Sequence, residues 1–136
     1  MITLKEARDY YFQRSTKVSD IVRQLAFAGI AIIWLFKSEV RGVPRVPDEL
    51  LTAGFLIIVG LALDLFQYVS AAILWGTFAR YKERKGVAAG DSFVAPAWIN
   101  WPALTCFCLK IVFILGAYVV IGRFLYQILQ RSTPAP

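Results

Sequence analysis

Apolar residues gather into three blocks along the chain, about Ile21–Phe36, Leu50–Ala79 and Ala103–Gly122, and the charged residues crowd between them. Each block is near the ~20 residues a helix needs to cross a hydrocarbon core of about 30 Å. The pattern predicts an all-α integral membrane protein with three transmembrane helices plus an N-terminal amphipathic, interfacial helix. As one domain, residues 1–20 form the N-terminal helix, 21–38 the first span and 50–79 the second. A basic loop over 80–101, a third span over 102–123 and a tail over 124–136 complete the chain.

Local signals mark the boundaries. Thr3-Leu4-Lys5-Glu6 reads as a capping box opening the first helix. Tyr10, Tyr11 and Phe12 suit a headgroup layer. That helix either runs on into the first span or bends near Ser15-Thr16. Arg23 then falls in the first turn of the span, where it can snorkel outward or pair locally with Asp20. Gly42, Pro44 and Pro47 punctuate the loop over Lys37–Glu49, and Asp48 is placed to cap the second helix. At 1.5 Å per residue, Leu50–Ala79 is roughly 45 Å long, so it must tilt or project. Trp98 and Trp101, beside Pro96 and Pro102, read as an interfacial anchor. Beyond Gly122, Phe124–Gln130 can extend the third helix, and Arg131–Pro136 reads as a disordered tail.

Composition supports the membrane class. The chain is 58% hydrophobic with a mean hydropathy of +0.59, against roughly 45–50% apolar in ordinary soluble domains. A soluble bundle would need a polar stripe on each helix. Leu65–Ala79 offers only Gln67, Tyr68, Ser70 and Thr77, without a charge. No cleavable signal peptide is visible, because acidic residues dot the first twenty positions and no small-residue cleavage site follows the first block. Histidine is absent, which removes the commonest general base, metal ligand and pH sensor. Cys106 and Cys108 point away from each other on a helix and make no zinc site alone. They read first as small core residues, with lipidation or redox work as the alternative.

Two charges break the apolar blocks. Asp64 is the sole charge in Leu50–Ala79, and Lys110 the sole charge in Ala103–Gly122. An ionisable group at that depth faces protein or water and marks a site. Asp64, Gln67, Tyr68, Ala71 and Trp75 share one helix face, and Cys106, Lys110, Ile114 and Ala117 share another. Lys110 lies about 13 Å along its helix from Trp101, and Asp64 about 20 Å from Thr77. A lysine stem covers the difference, so the two can pair within one chain or between chains. Asp64, Gln67 and Lys110 thus form the candidate intramembrane constellation. It reads either as a structural ion pair or as the polar lining of a water-filled path made by several copies. A protonated Asp64 and a partner protein's counter-charge are further alternatives.

Small residues hint at close helix contact: Ala26, Ala28, Gly29 and Ala31; Gly54 and Gly60; Gly116, Ala117 and Gly122. Three spans bury little surface alone, so a homo-oligomer is expected.

The net charge is +6. Nine basic residues (Lys5, Arg8, Arg14, Lys17, Arg23, Arg80, Lys82, Arg84, Lys85) fall on the N-terminal side of the three-span plan, against five (Lys37, Arg41, Arg45, Arg123, Arg131) opposite. The positive-inside rule then puts the N-terminus in the cytoplasm and the C-terminus outside. Arg8, Arg14, Lys17, Arg80, Lys82, Arg84 and Lys85 form a basic face. It reads as contact with anionic headgroups, or as a site for an acidic nucleotide or nucleic-acid strand with Tyr10, Tyr11 and Tyr81 stacking on bases.

No nucleophile–base pair, phosphate-cradling glycine loop or metal-ligand cluster is present, so neither an enzyme nor a metal or other cofactor is expected. Gly86–Gly90 is a hinge without a following Gly-Lys-Ser/Thr. Ion conduction by an oligomeric pore is the activity expected, with a non-conducting membrane adaptor or anchor of a larger complex as the alternative. In size and plan, with a basic N-terminal helix, three spans and no catalytic residues, the chain resembles the small multi-span effectors of bacterial anti-phage systems. That resemblance implies permeabilisation or depolarisation of the inner membrane on a signal from a soluble sensor partner.

Overall fold

The structure, a computed structural model, describes residues 4–40, 42–86 and 96–132. Three long helices fill it: α1 (Leu4–Leu35), α2 (Asp48–Arg84) and α3 (Trp101–Ser132), with a one-turn 3₁₀ helix, Ala97–Asn100, leading into α3. All three are long and apolar enough to cross a membrane.

The N-terminal helix and the first span are one uninterrupted helix. Ser15-Thr16 does not bend it, and it stops at Leu35, short of position 38. Thr3, and with it the proposed capping box, lies outside the described residues, as does Gly90. The loop that follows amends the all-helical expectation: Ser38–Val40 and Val43–Arg45 pair as a two-stranded antiparallel hairpin, β1 and β2. Gly42 turns its corner at a φ of 75°, a conformation that costs glycine nothing. Pro44 fits because both strands are edges.

Asp48 does not cap α2. Pro47 occupies the cap position, with no side-chain cap bond, and Asp48 is the first helical residue beside Glu49. Both carboxylates still favour that end through the helix dipole. At its far end α2 continues through Arg84, so most of the basic run is helical and the loop begins later than position 80. Its 37 residues make it about 55 Å long. Likewise α3 reaches Ser132, taking in Arg131 and most of the expected tail.

α2 and α3 pack along most of their length, and α1 crosses both less extensively. The buried faces recur every three to four residues: Leu50, Ala53, Ile57, Gly60 and Asp64 on α2, and Cys106, Lys110, Ile114, Ala117 and Ile121 on α3. With Val22 and Ala26 of α1 the apolar members form a single core. It fills the half of the bundle toward the hairpin. The outer faces are apolar too, with Phe27, Phe55, Leu65 and Val112 exposed. Burial therefore follows helix geometry and not polarity, as expected of helices surrounded by an apolar medium.

Two glycines set the approach distances. A Cβ on Gly60 would fall 2.8 Å from Ile114 Cδ1, and one on Gly29 would fall 2.7 Å from Ile57 Cδ1. Gly122 meets nothing within 4 Å, and Ala28 and Ala31 are exposed, so those small residues do not serve these contacts. Gly60→Val should therefore cost about 1–3 kcal/mol through overpacking, while Gly122→Val stays near neutral. Denaturant titration of both variants in mixed micelles checks this, and equal effects at the two sites would refute the packing described.

Candidate functional site

Asp64 lies at the centre of a charge cluster drawn from all three helices. Lys110 Nζ donates to Asp64 Oδ1 and, at 2.9 Å, to Ser19 Oγ. Arg23 Nε donates to Asp64 Oδ2 at 2.6 Å. Arg23 also donates through Nη2 to the Tyr68 hydroxyl at 2.8 Å and through Nη1 to Asp20 Oδ1 at 3.3 Å. Each Asp64 oxygen thus holds one cation, and further cation protons go to the Ser19 and Tyr68 hydroxyls and to Asp20.

Burial grades across the cluster. The Lys110 side chain is fully enclosed, that of Asp64 is 10% exposed and that of Arg23 is 36% exposed. An enclosed ammonium without a carboxylate would be costly by several kcal/mol. The Phe107 ring adds a face 5.1 Å from Lys110 Nζ. The pairing expected between Asp64 and Lys110 is formed within one chain. Arg23 was expected to snorkel or to pair locally, and its contact with Asp20 is indeed made. Its shorter bond, however, reaches across to α2, because the unbent α1 carries it past Asp64.

Beside the cluster lies a cavity of about 530 Å³. It opens where the first half of α1 stands away from the α2–α3 pair. Tyr11, Ser15, Thr16 and Ser19 of α1, Gln67, Tyr68 and Trp75 of α2, and Asn100 with the first turn of α3 line it. At the mouth Trp75 Nε1 donates to Asn100 Oδ1 at 3.2 Å. Gln67 reaches the cavity, not the ion pair: its Oε1 is buried with no hydrogen-bond partner among the described residues. The polar face read along α2 is therefore divided. Asp64 serves the bundle interior, and Gln67, Tyr68 and Trp75 serve the cleft.

Arg14, Lys17, Arg80, Arg84 and Lys85 are exposed, and neither these five nor Lys82 line the cleft. Lys82 lies over Phe78 at 5.5 Å and Lys85 over Tyr81 at 4.7 Å. The side chain of Arg8 lies outside the described set. Tyr11 lines the cleft, whereas Tyr10 and Tyr81 are exposed on the surface. Trp98 and Trp101 are likewise exposed. Cys106 is buried in the core row, and Cys108 is exposed one helix face away. No group of three or more candidate metal ligands occurs among the described residues.

Ser19 was not singled out in the sequence, since a lone serine in a helix carries no signal of its partner. The cluster makes a quantitative prediction. Asp64→Leu should destabilise the fold by roughly 3–5 kcal/mol, because it strands Lys110. Adding Lys110→Met should restore most of that loss, since Arg23 keeps Asp20, Tyr68 and water. A double-mutant cycle by denaturant titration reads the coupling, and additive losses would show that the pair is not formed. Comparison with known proteins adds no family: no family model, curated protein or solved structure matches this chain.

Proposed function

We propose that this chain is an integral membrane module whose three spans are locked by a buried charge cluster, and that it serves as the membrane anchor or adaptor subunit of a larger assembly. The single observation that carries the reading is that Asp64 is neutralised inside one protomer by Lys110 and Arg23. A carboxylate so engaged orients helices. It is not left over to line a path between copies. At the level of the cluster the outward residues of α2 and α3 are mostly large and apolar, among them Leu65, Phe66, Leu109 and Val112, whereas α1 exposes Asp20 and Gln24 there. Such faces suit acyl chains or an apolar partner helix. Toward the hairpin the interior is packed by Leu50, Ile57, Ile114 and Ile121, without a polar side chain between them.

The N-terminus belongs in the cytoplasm on the nine-to-five basic balance, and the inner membrane of a bacterium is the setting proposed. Anionic headgroups are the natural contacts of the exposed basic helix ends. A homo-oligomer, a soluble sensor or an acidic nucleotide or nucleic-acid ligand are the partners proposed on the same grounds.

Ion passage is the second reading, with the chain as a pore-forming effector in anti-phage defence. The observation that favours it is the cleft, an open volume beside the charge cluster whose lining includes Ser15, Ser19, Gln67 and Asn100. Conduction then requires several copies, or a rearrangement that opens the apolar half. Flux across liposomes containing the purified chain separates the two readings. The anchor reading predicts potassium and proton leak equal to that of empty liposomes, for both the unmodified chain and Asp64→Asn. Leak well above that background, altered by Asp64→Asn, would transfer the assignment to the pore.

A further inference from the structure

We propose that the cleft between α1 and the α2–α3 pair binds an oxyanion, a phosphate or carboxylate group, on hydroxyl donors polarised by Lys110 and Arg23. Ser19 Oγ accepts from Lys110, and the Tyr68 hydroxyl accepts from Arg23. A hydroxyl with a lone pair engaged by a cation keeps its own proton to donate, and donates it more strongly. Ser19 and Tyr68 are both among the residues that line the cleft. Asn100 adds its amide N–H groups, because its oxygen is taken by Trp75. The Gln67 amide carries the buried acceptor without a partner, and turning that amide over puts a donor at the same point.

The charge balance selects the sign of the ligand. Among the described residues no acidic side chain lines the cleft. The two cations outnumber the Asp64 carboxylate by one. Asp20 offsets that charge only from an exposed position, its side chain 57% accessible, where water screens it. The first turn of α3 contributes Ala103 and Leu104 to the lining. A volume of about 530 Å³ lies within the ~300–1,000 Å³ range of small-molecule sites.

The same chemistry can arrive as the headgroup of an anionic phospholipid or as a free phosphorylated or carboxylated solute. The inference goes beyond the anchor reading and holds whether or not ion flux is found. Two probes are applied to the full chain in neutral detergent. One is phosphatidylglycerol, followed as a mass adduct by native mass spectrometry. The other is radiolabelled inorganic phosphate, followed by equilibrium dialysis. Ser19→Ala combined with Tyr68→Phe removes both donors and leaves every charge in place. One probe should bind the unmodified chain, and the double variant should weaken it by about tenfold or more. Tyr126→Phe, outside the cleft, should leave it unchanged. A sensitive lipid adduct identifies a headgroup site, and sensitive phosphate retention identifies a solute site. If the double variant loses its helical circular dichroism, Tyr68→Phe alone carries the test. Absence of binding by both probes, or binding indifferent to the lost hydroxyls, overturns the proposal.

Discussion

An ammonium group with no solvent access must find a carboxylate or lose its charge, and Lys110 finds one only where all three helices meet. That requirement fixes the register of α3 against α2, because Lys110 and Asp64 have to sit at one level. It fixes α1 as well, since Arg23 and Ser19 take up the remaining hydrogen-bonding capacity of the pair. The apolar contacts are then arranged around that point. Gly60 lies one turn from Asp64 and lets Ile114, one turn from Lys110, approach the α2 backbone. Dispersion alone would tolerate small slips between smooth apolar helices. A bidentate arrangement of charges tolerates none.

Much of this was legible in the sequence because charge is rare there. Asp64 and Lys110 each interrupt an otherwise uncharged block, and helix arithmetic alone put them within reach of each other. Arg23 was harder. Asp20 is its neighbour at i−3 and makes a satisfactory local partner, so nothing in one helix announces a second partner 41 positions away. Gly60 and Gly122 look alike as small residues in apolar blocks, yet only one of them meets another helix. Contact between helices is set by rotation about their axes, which periodicity constrains only loosely. The ends of elements were the least legible. Arg80–Arg84 is helical because lysine, arginine and glutamate are good helix formers that extend α2 past its apolar stretch.

The two halves of the bundle differ in kind. Toward the hairpin, the interior is close-packed aliphatic side chain. Toward the opposite end, hydroxyls and amides of Ser19, Gln67, Tyr68 and Asn100 surround an open volume. The charge cluster lies between them, with Lys110 enclosed and Arg23 partly exposed. This asymmetry supports a module that receives something from one side better than a conduit through it. It also explains why the polar face of α2 carries both Asp64 and Gln67 while the two side chains answer to different surroundings.

Whether the cluster closes within a single chain decides the account, and solid-state NMR can measure it in lipid. Dephasing of the Asp64 carboxyl carbon by Lys110 Nζ reports their separation. The account predicts strong dephasing, for a separation of about 4 Å, when ¹³C and ¹⁵N labels share one chain, and none when singly labelled chains are mixed before reconstitution. Dephasing confined to the mixed sample would show that the pair joins neighbouring copies, and the reading of a self-contained protomer would fall.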